Sequence, residues 1–151
     1  MSCGGPKDPR KLTRAGEEAL ASGDYDAAAR YFSDALAAIG NDPARSEYSD
    51  AKLGHAESLI RADPKKAKEE FLALAREKPE TIQDREFNAF ASKLGDANNL
   101  VEATEVLTVG IEAFPESPHL VALRDALGDR AKASSDGGAL EALKGLGYVG
   151  E

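Results

Sequence analysis

Cysteine is nearly absent from this chain of 151 residues, and tryptophan is missing altogether. A single thiol, Cys3, excludes an internal disulfide framework and any metal site built from several thiolates. Histidine is also scarce: His55 and His119 stand far apart, and neither has ligand spacing to another His or to the Cys. Positive charge is in deficit. Lys and Arg number 19 against 27 Asp and Glu, a net charge of −8, and no cationic stripe emerges to suit a nucleic acid or an anionic membrane. No apolar run approaches the roughly 18 residues that a membrane span requires. No phosphate-cradling G-x-x-x-x-G-K-[ST] occurs, and Gly137-Gly138 lacks the Lys-Ser that would have to follow. Adjacent acidic pairs such as Glu17-Glu18 and Glu69-Glu70 point about 100° apart on a helix, which suits a solvated face. No nucleophile and base pair up, so the chain reads as non-enzymatic, with no metal and no cofactor.

What is present is a soluble, globular composition, 42% hydrophobic and 30% charged, in a length that fits one domain with a sizeable core. Helix starts are written four times in one idiom: Asp8-Pro9, Asp42-Pro43, Asp63-Pro64 and Ser117-Pro118. In each, a capping side chain precedes a proline that has no amide to satisfy and a φ already set for the first turn. Asp24 suits a further cap, and Thr81 with Asp84 and Asn99 with Glu102 have capping-box spacing. Gly40 and Gly95 are placed to stop helices in a left-handed conformation. Apolar residues between these marks recur at helical spacing, as at Phe71, Leu72, Leu74 and Ala75, and alternating β pattern is absent. Helices are expected over 9–22, 24–38, 44–61, 64–78, 82–94, 99–113 and 118–132, so the fold class is all-α.

The helices repeat in pairs. Ala28-x-x-x-Phe32 returns as Ala67-x-x-x-Phe71 and Ala103-x-x-x-Leu107, at periods of 39 and 36, and each is followed after eight residues by Gly40, Pro79 or Pro115. With Gly16, Gly23-Asp24-Tyr25 and Ala35 in the first copy, and Leu53-Gly54 in the second, this pattern resembles the tetratricopeptide repeat (TPR), whose nominal period is about 34. The third copy carries Phe87, Gly110 and Pro115 besides. The departures are a missing early Trp, whose place Leu12 takes, and an irregular turn at "GNDPAR" (40–45). The resemblance covers about residues 9–132. It implies a right-handed superhelix of about three helix pairs, closed by a capping helix over 117–132, with no catalysis and a protein or peptide ligand in the concave groove. Groove positions of that family fall on Arg10, Thr13, Arg14 and Glu17, then Lys52 and Ala56, then Arg85, Asn88 and Ser92. The clamp for chaperone C-terminal carboxylates is not matched, because Thr13, Glu17, Leu53 and Asn88 stand at its positions. Arg10, Arg14, Lys52 and Arg85 would place cations along the groove and favour an extended ligand with acidic groups.

The two ends carry separate expectations. "MSCGGPKDPRK" resembles the mature start of a bacterial lipoprotein, in which a signal peptide ends just before a Cys that becomes lipidated. This implies that residues 1–8 are a flexible tether, that Cys3 carries the lipid, and that the protein is periplasmic and bound to a membrane only through that anchor. It also requires that Met1-Ser2 have replaced the signal; the other reading is a cytoplasmic protein with an incidental N-terminal Cys. At the far end, "ASSDGG" (133–138) reads as a hinge, and the tail to residue 151 is apolar at Leu140, Leu143, Leu146, Tyr148 and Val149. That tail either packs on its own last helices or docks on a neighbour. The second course gives an alternative function: a structural or assembly subunit that self-associates through its tail.

Overall fold

A computed structural model describes residues 8–150, and among them every regular element is an α-helix. The chain divides into two compact units, residues 1–81 and 82–151. The first holds α1 (Pro9–Ser22), α2 (Tyr25–Ala38), α3 (Tyr48–Ser58) and α4 (Pro64–Glu77). The second holds α5 (Asp84–Asp96), α6 (Leu100–Ala113), α7 (Pro118–Ala133) and α8 (Gly137–Gly145).

Local chemistry explains most of the boundaries. Asp8, Asp24, Asp63 and Ser117 each accept from a backbone amide two or three residues ahead, at 2.9, 3.0, 3.1 and 3.4 Å, so one orphan donor at the start of each of α1, α2, α4 and α7 is met. Several boundaries differ from expectation: α3 ends early, at Ser58, and Asn99 starts α6 without a side-chain cap hydrogen bond. Asp42 does accept from the Ala44 amide at 2.9 Å, but the chain spends 42–47 on turns and α3 begins only at Tyr48. Here the side chain stabilises a turn in place of a helix start. The capping box of α5 forms two residues late, with the Gln83 amide donating to Glu86 Oε2 at 3.0 Å. Gly95 lies inside α5, and the left-handed residue after that helix is Asn98, with φ 65°.

In the first unit α2 packs between α1 and α3, α4 packs on α3, and α1 also touches α3. One ring sits at the centre of this packing. Phe32 of α2 is fully buried, and its ring lies where a side chain at Gly16 of α1 or Gly54 of α3 would have to be. A Cβ on Gly16 would come within 2.7 Å of that ring, and one on Gly54 would come closer still. Ala28, Ala35, Ala51 and Ala67 are also fully buried and let the helix axes approach. Phe71 fills the corresponding interior position on α4.

The second unit repeats the device with different partners. A Cβ on Gly110 of α6 would lie 3.0 Å from Phe87 Cβ on α5, and one on Gly95 of α5 would lie 2.8 Å from Leu127 of α7. The segment expected to be a hinge is largely structured. Asp136 accepts from the Ala139 amide at 3.0 Å and starts α8, which packs on α7 and α6. Leu143 is buried, and the Tyr148 ring lies over Gly128 while its hydroxyl donates to Asp129 at 2.8 Å. The tail therefore packs within its own unit, as the second member of a helix pair with α7. Ala139 and Leu143 repeat the small-x-x-x-large signature 36 residues after Ala103 and Leu107.

Gly54→Ala is expected to cost about 1–3 kcal/mol by overpacking, and Phe32→Ala about 3–5 kcal/mol. Gly54→Ala combined with Phe32→Leu is expected to lose less than the sum of the losses of Gly54→Ala alone and Phe32→Leu alone, because the smaller side chain vacates the space. Urea or thermal melts followed by circular dichroism measure all of these. Strictly additive losses would contradict the packing described.

Candidate functional site

The helix pairing brings α1 and the start of α3 side by side, and the surface between them is concave. A cleft of about 410 Å³ is lined by Arg10, Thr13, Arg14 and Glu17 of α1, and by Ser46, Glu47 and Asp50 around the start of α3. All four α1 residues that sequence position assigns to the groove are thus in one cleft. Thr13 forms part of its floor: it is buried, and its hydroxyl donates to the Pro9 carbonyl at 2.8 Å.

The remaining expected groove residues fall elsewhere. Lys52 lies on α3 with its ammonium 5.6 Å from the centre of the Tyr48 ring. Ala56 is fully buried, so it belongs to the core and offers no groove surface: α3 is packed against α4 as well as against α1 and α2. Arg85, Asn88 and Ser92 belong to α5 in the second unit, where Ser92 lines a smaller cleft, of about 200 Å³, with Leu127 and Arg130 of α7. An ion pair of 3.0 Å between Arg130 and Asp96 borders it. Arg85 lies 3.7 Å from Glu86. Cys3 lies outside the described residues.

Electrostatically, the α1/α3 cleft is more acidic than α1 alone suggested. Two arginines share it with three carboxylates, Glu17, Glu47 and Asp50. Arg14 already has Glu18 at 3.5 Å, one turn along α1. Arg10 Nε reaches Glu47 Oε1 at 3.4 Å, and Arg45 Nε stands 3.6 Å from Glu47 Oε2. Only 8% of the Glu47 side chain is exposed, and Oε2 is closed to solvent with no hydrogen-bond donor. The Glu47 pKa lies below its ordinary 4.5 because its own backbone amide favours the charged form; Arg45, Ser46 and Arg10 add to this against a desolvation cost. The sequence had marked 40–45 as irregular, but nothing local shows that this turn swings Glu47 under Arg10, 37 residues away.

Two other polar contacts tie α3 to α4. The Tyr48 hydroxyl donates to the Glu77 carboxylate at 3.0 and 3.1 Å, and His55 Nδ1 lies 2.6 Å from Glu70 Oε2. His55 is therefore half-buried between helices, while His119 is exposed. Among the described residues, no group of His, Cys, Asp and Glu could hold a metal ion, and no helix is long and apolar enough to cross a membrane. Compared with protein-family models, curated proteins and solved structures, the chain has no match.

Burial, then the hydrogen bond and the charge of Glu77, push the Tyr48 pKa up to about 12. A raised pKa means that this contribution to stability is complete below the ordinary 10 and is lost as pH rises toward 12. Chemical unfolding across that interval is expected to show a steeper loss of stability for the wild type than for Tyr48→Phe. Parallel curves would contradict the buried Tyr48–Glu77 link.

Proposed function

We propose that this chain is a non-catalytic protein-interaction module in which TPR-like helix pairs, stacked in a right-handed superhelix, hold a peptide or protein segment. The observation that carries the reading is the α1/α3 cleft: Arg10, Thr13, Arg14 and Glu17, the positions a TPR would use in its groove, line it together. An extended segment suits such a surface, since first helices of successive pairs form one wall and stacked pairs prolong it. The polar lining, with charges of both signs, favours a ligand held by hydrogen bonds and charge over an apolar small molecule.

Self-assembly through the C-terminal tail is the weaker reading. Leu143 and Tyr148 are buried within the second unit, and Leu140 and Leu146 are half-buried, which leaves Val149 as the exposed large apolar side chain of the tail. Lipidation of Cys3 would place the module on an envelope membrane; mass spectrometry of the native protein tests this, and an unmodified thiol removes the anchor from the proposal.

Capture of partners from a cell extract tests the cleft itself. The variant Arg14→Glu with Asp50→Lys reverses two exposed charges of the lining and keeps the net charge at −8. A partner recovered with the wild type is expected to be lost with this variant, with helicity unchanged. Equal recovery at low and high salt would place the binding surface elsewhere.

A further inference from the structure

We infer that the α1/α3 cleft recognises a basic side chain of its ligand, a Lys or Arg seated on Glu47, and that Arg45 occupies this seat in the free protein. The inference rests on the reading of the cleft as a peptide site and names the chemistry of what enters it. Glu47 motivates it. An ionised carboxylate accepts at about four positions, and a buried one left short of donors is destabilising. Glu47 has Arg10 at 3.4 Å on Oε1, whereas Oε2 accepts no hydrogen bond. The guanidinium beside it, at 3.6 Å, contributes charge but stands beyond the distance of a charge-assisted hydrogen bond, about 2.7–2.9 Å.

A group that satisfies Oε2 must donate an N–H or an O–H. Charge then selects among donors. Glu17, Glu47 and Asp50 outnumber Arg10 and Arg14 in the lining, and both arginines already face carboxylates. An acidic ligand group would meet three carboxylates in the same space, while a cation meets three partners. The charged form of Glu47 is favoured first by its own backbone amide and then by Arg45, Ser46 and Arg10. Arg45 is well placed to yield. It sits on the turn before α3, 48% exposed, where its guanidinium can move into water at little cost while the ligand's cation takes the closer position. In the free protein Arg45 thus competes with the ligand.

Fluorescence anisotropy on the full chain tests this with a labelled, capped (Gly-Ser-Arg)3 peptide. Matched peptides carry citrulline, which keeps the N–H donors without the charge, or Glu. The Arg peptide is expected to bind the wild type, to bind Arg45→Ala more tightly, and to lose roughly tenfold or more in affinity with Glu47→Gln. Citrulline and Glu peptides are expected to bind far more weakly. Glu112→Gln, an exposed change in the second unit, removes the same charge and is expected to leave affinity unchanged. Equal losses in Glu47→Gln and Glu112→Gln would reduce the effect to general acidity and overturn the inference. So would weaker binding to Arg45→Ala, or no binding of the Arg peptide to any form at millimolar concentration. If Glu47→Gln loses helicity, Arg45→Ala decides alone, and no gain in affinity overturns the proposal. Binding of the Glu peptide in place of the Arg peptide, or partner capture that depends on Arg14 and Asp50 without any Arg-peptide binding, would leave the cleft as the site and remove the preference for a cation.

Discussion

The ring of Phe32, enclosed between the backbones of Gly16 and Gly54, is the contact on which the first unit depends. It fixes how near α1 and α3 come to the helix between them, and through it how near they come to each other. Neither glycine has a substitute there, because any Cβ would meet the ring. The cleft on the other side of α1 and α3 inherits its width from this spacing. Its lining charges, Arg10 from α1 and Glu47 from the start of α3, meet at 3.4 Å only because that spacing holds. Core packing and the shape of the cleft are two faces of one constraint.

The second unit uses the same principle with less uniform parts: Phe87 on Gly110, Leu127 on Gly95, and Tyr148 on Gly128. A helix pair buries too little apolar surface to stand alone, so each depends on its neighbour in the unit. The short helix α8 shows how little is needed. Nine residues, one buried leucine and one tyrosine complete the face of α6 and α7 that would otherwise meet water.

Local signals were legible and distant ones were not. Asp8, Asp24, Asp63 and Ser117 cap the expected helices, because a cap is decided within three residues. Asp42-Pro43 has the same letters and caps a turn, because Gly40 and Asn41, both left-handed, redirect the chain just before it. Asp136-Gly137-Gly138 reads as a hinge by composition, and tertiary packing of Ala139 and Leu143 overrides that. The α1 half of the cleft followed from the resemblance to TPR proteins. Its other half, Ser46, Glu47 and Asp50, depends on how the 40–47 turn enters α3, a three-dimensional fact with no short motif. Ala56 shows what a single groove face cannot reveal: it points away from Gly54, yet it is buried because α3 is covered by α4 as well as by α1 and α2.

The central claim is that Phe32 sets the α1–α3 spacing and with it the cleft. Pulsed electron-spin distance measurement between labels at Glu18 and Asp50, both exposed, reports that spacing directly once Cys3 is changed to Ser. Phe32→Leu in the same labelled protein removes the ring while keeping an apolar side chain. The account predicts one narrow distance distribution for the wild type, and a shifted or broadened one for Phe32→Leu at unchanged helicity. Superimposable distributions in the two proteins would contradict it, and would mean that something other than the seated ring holds the cleft at its width.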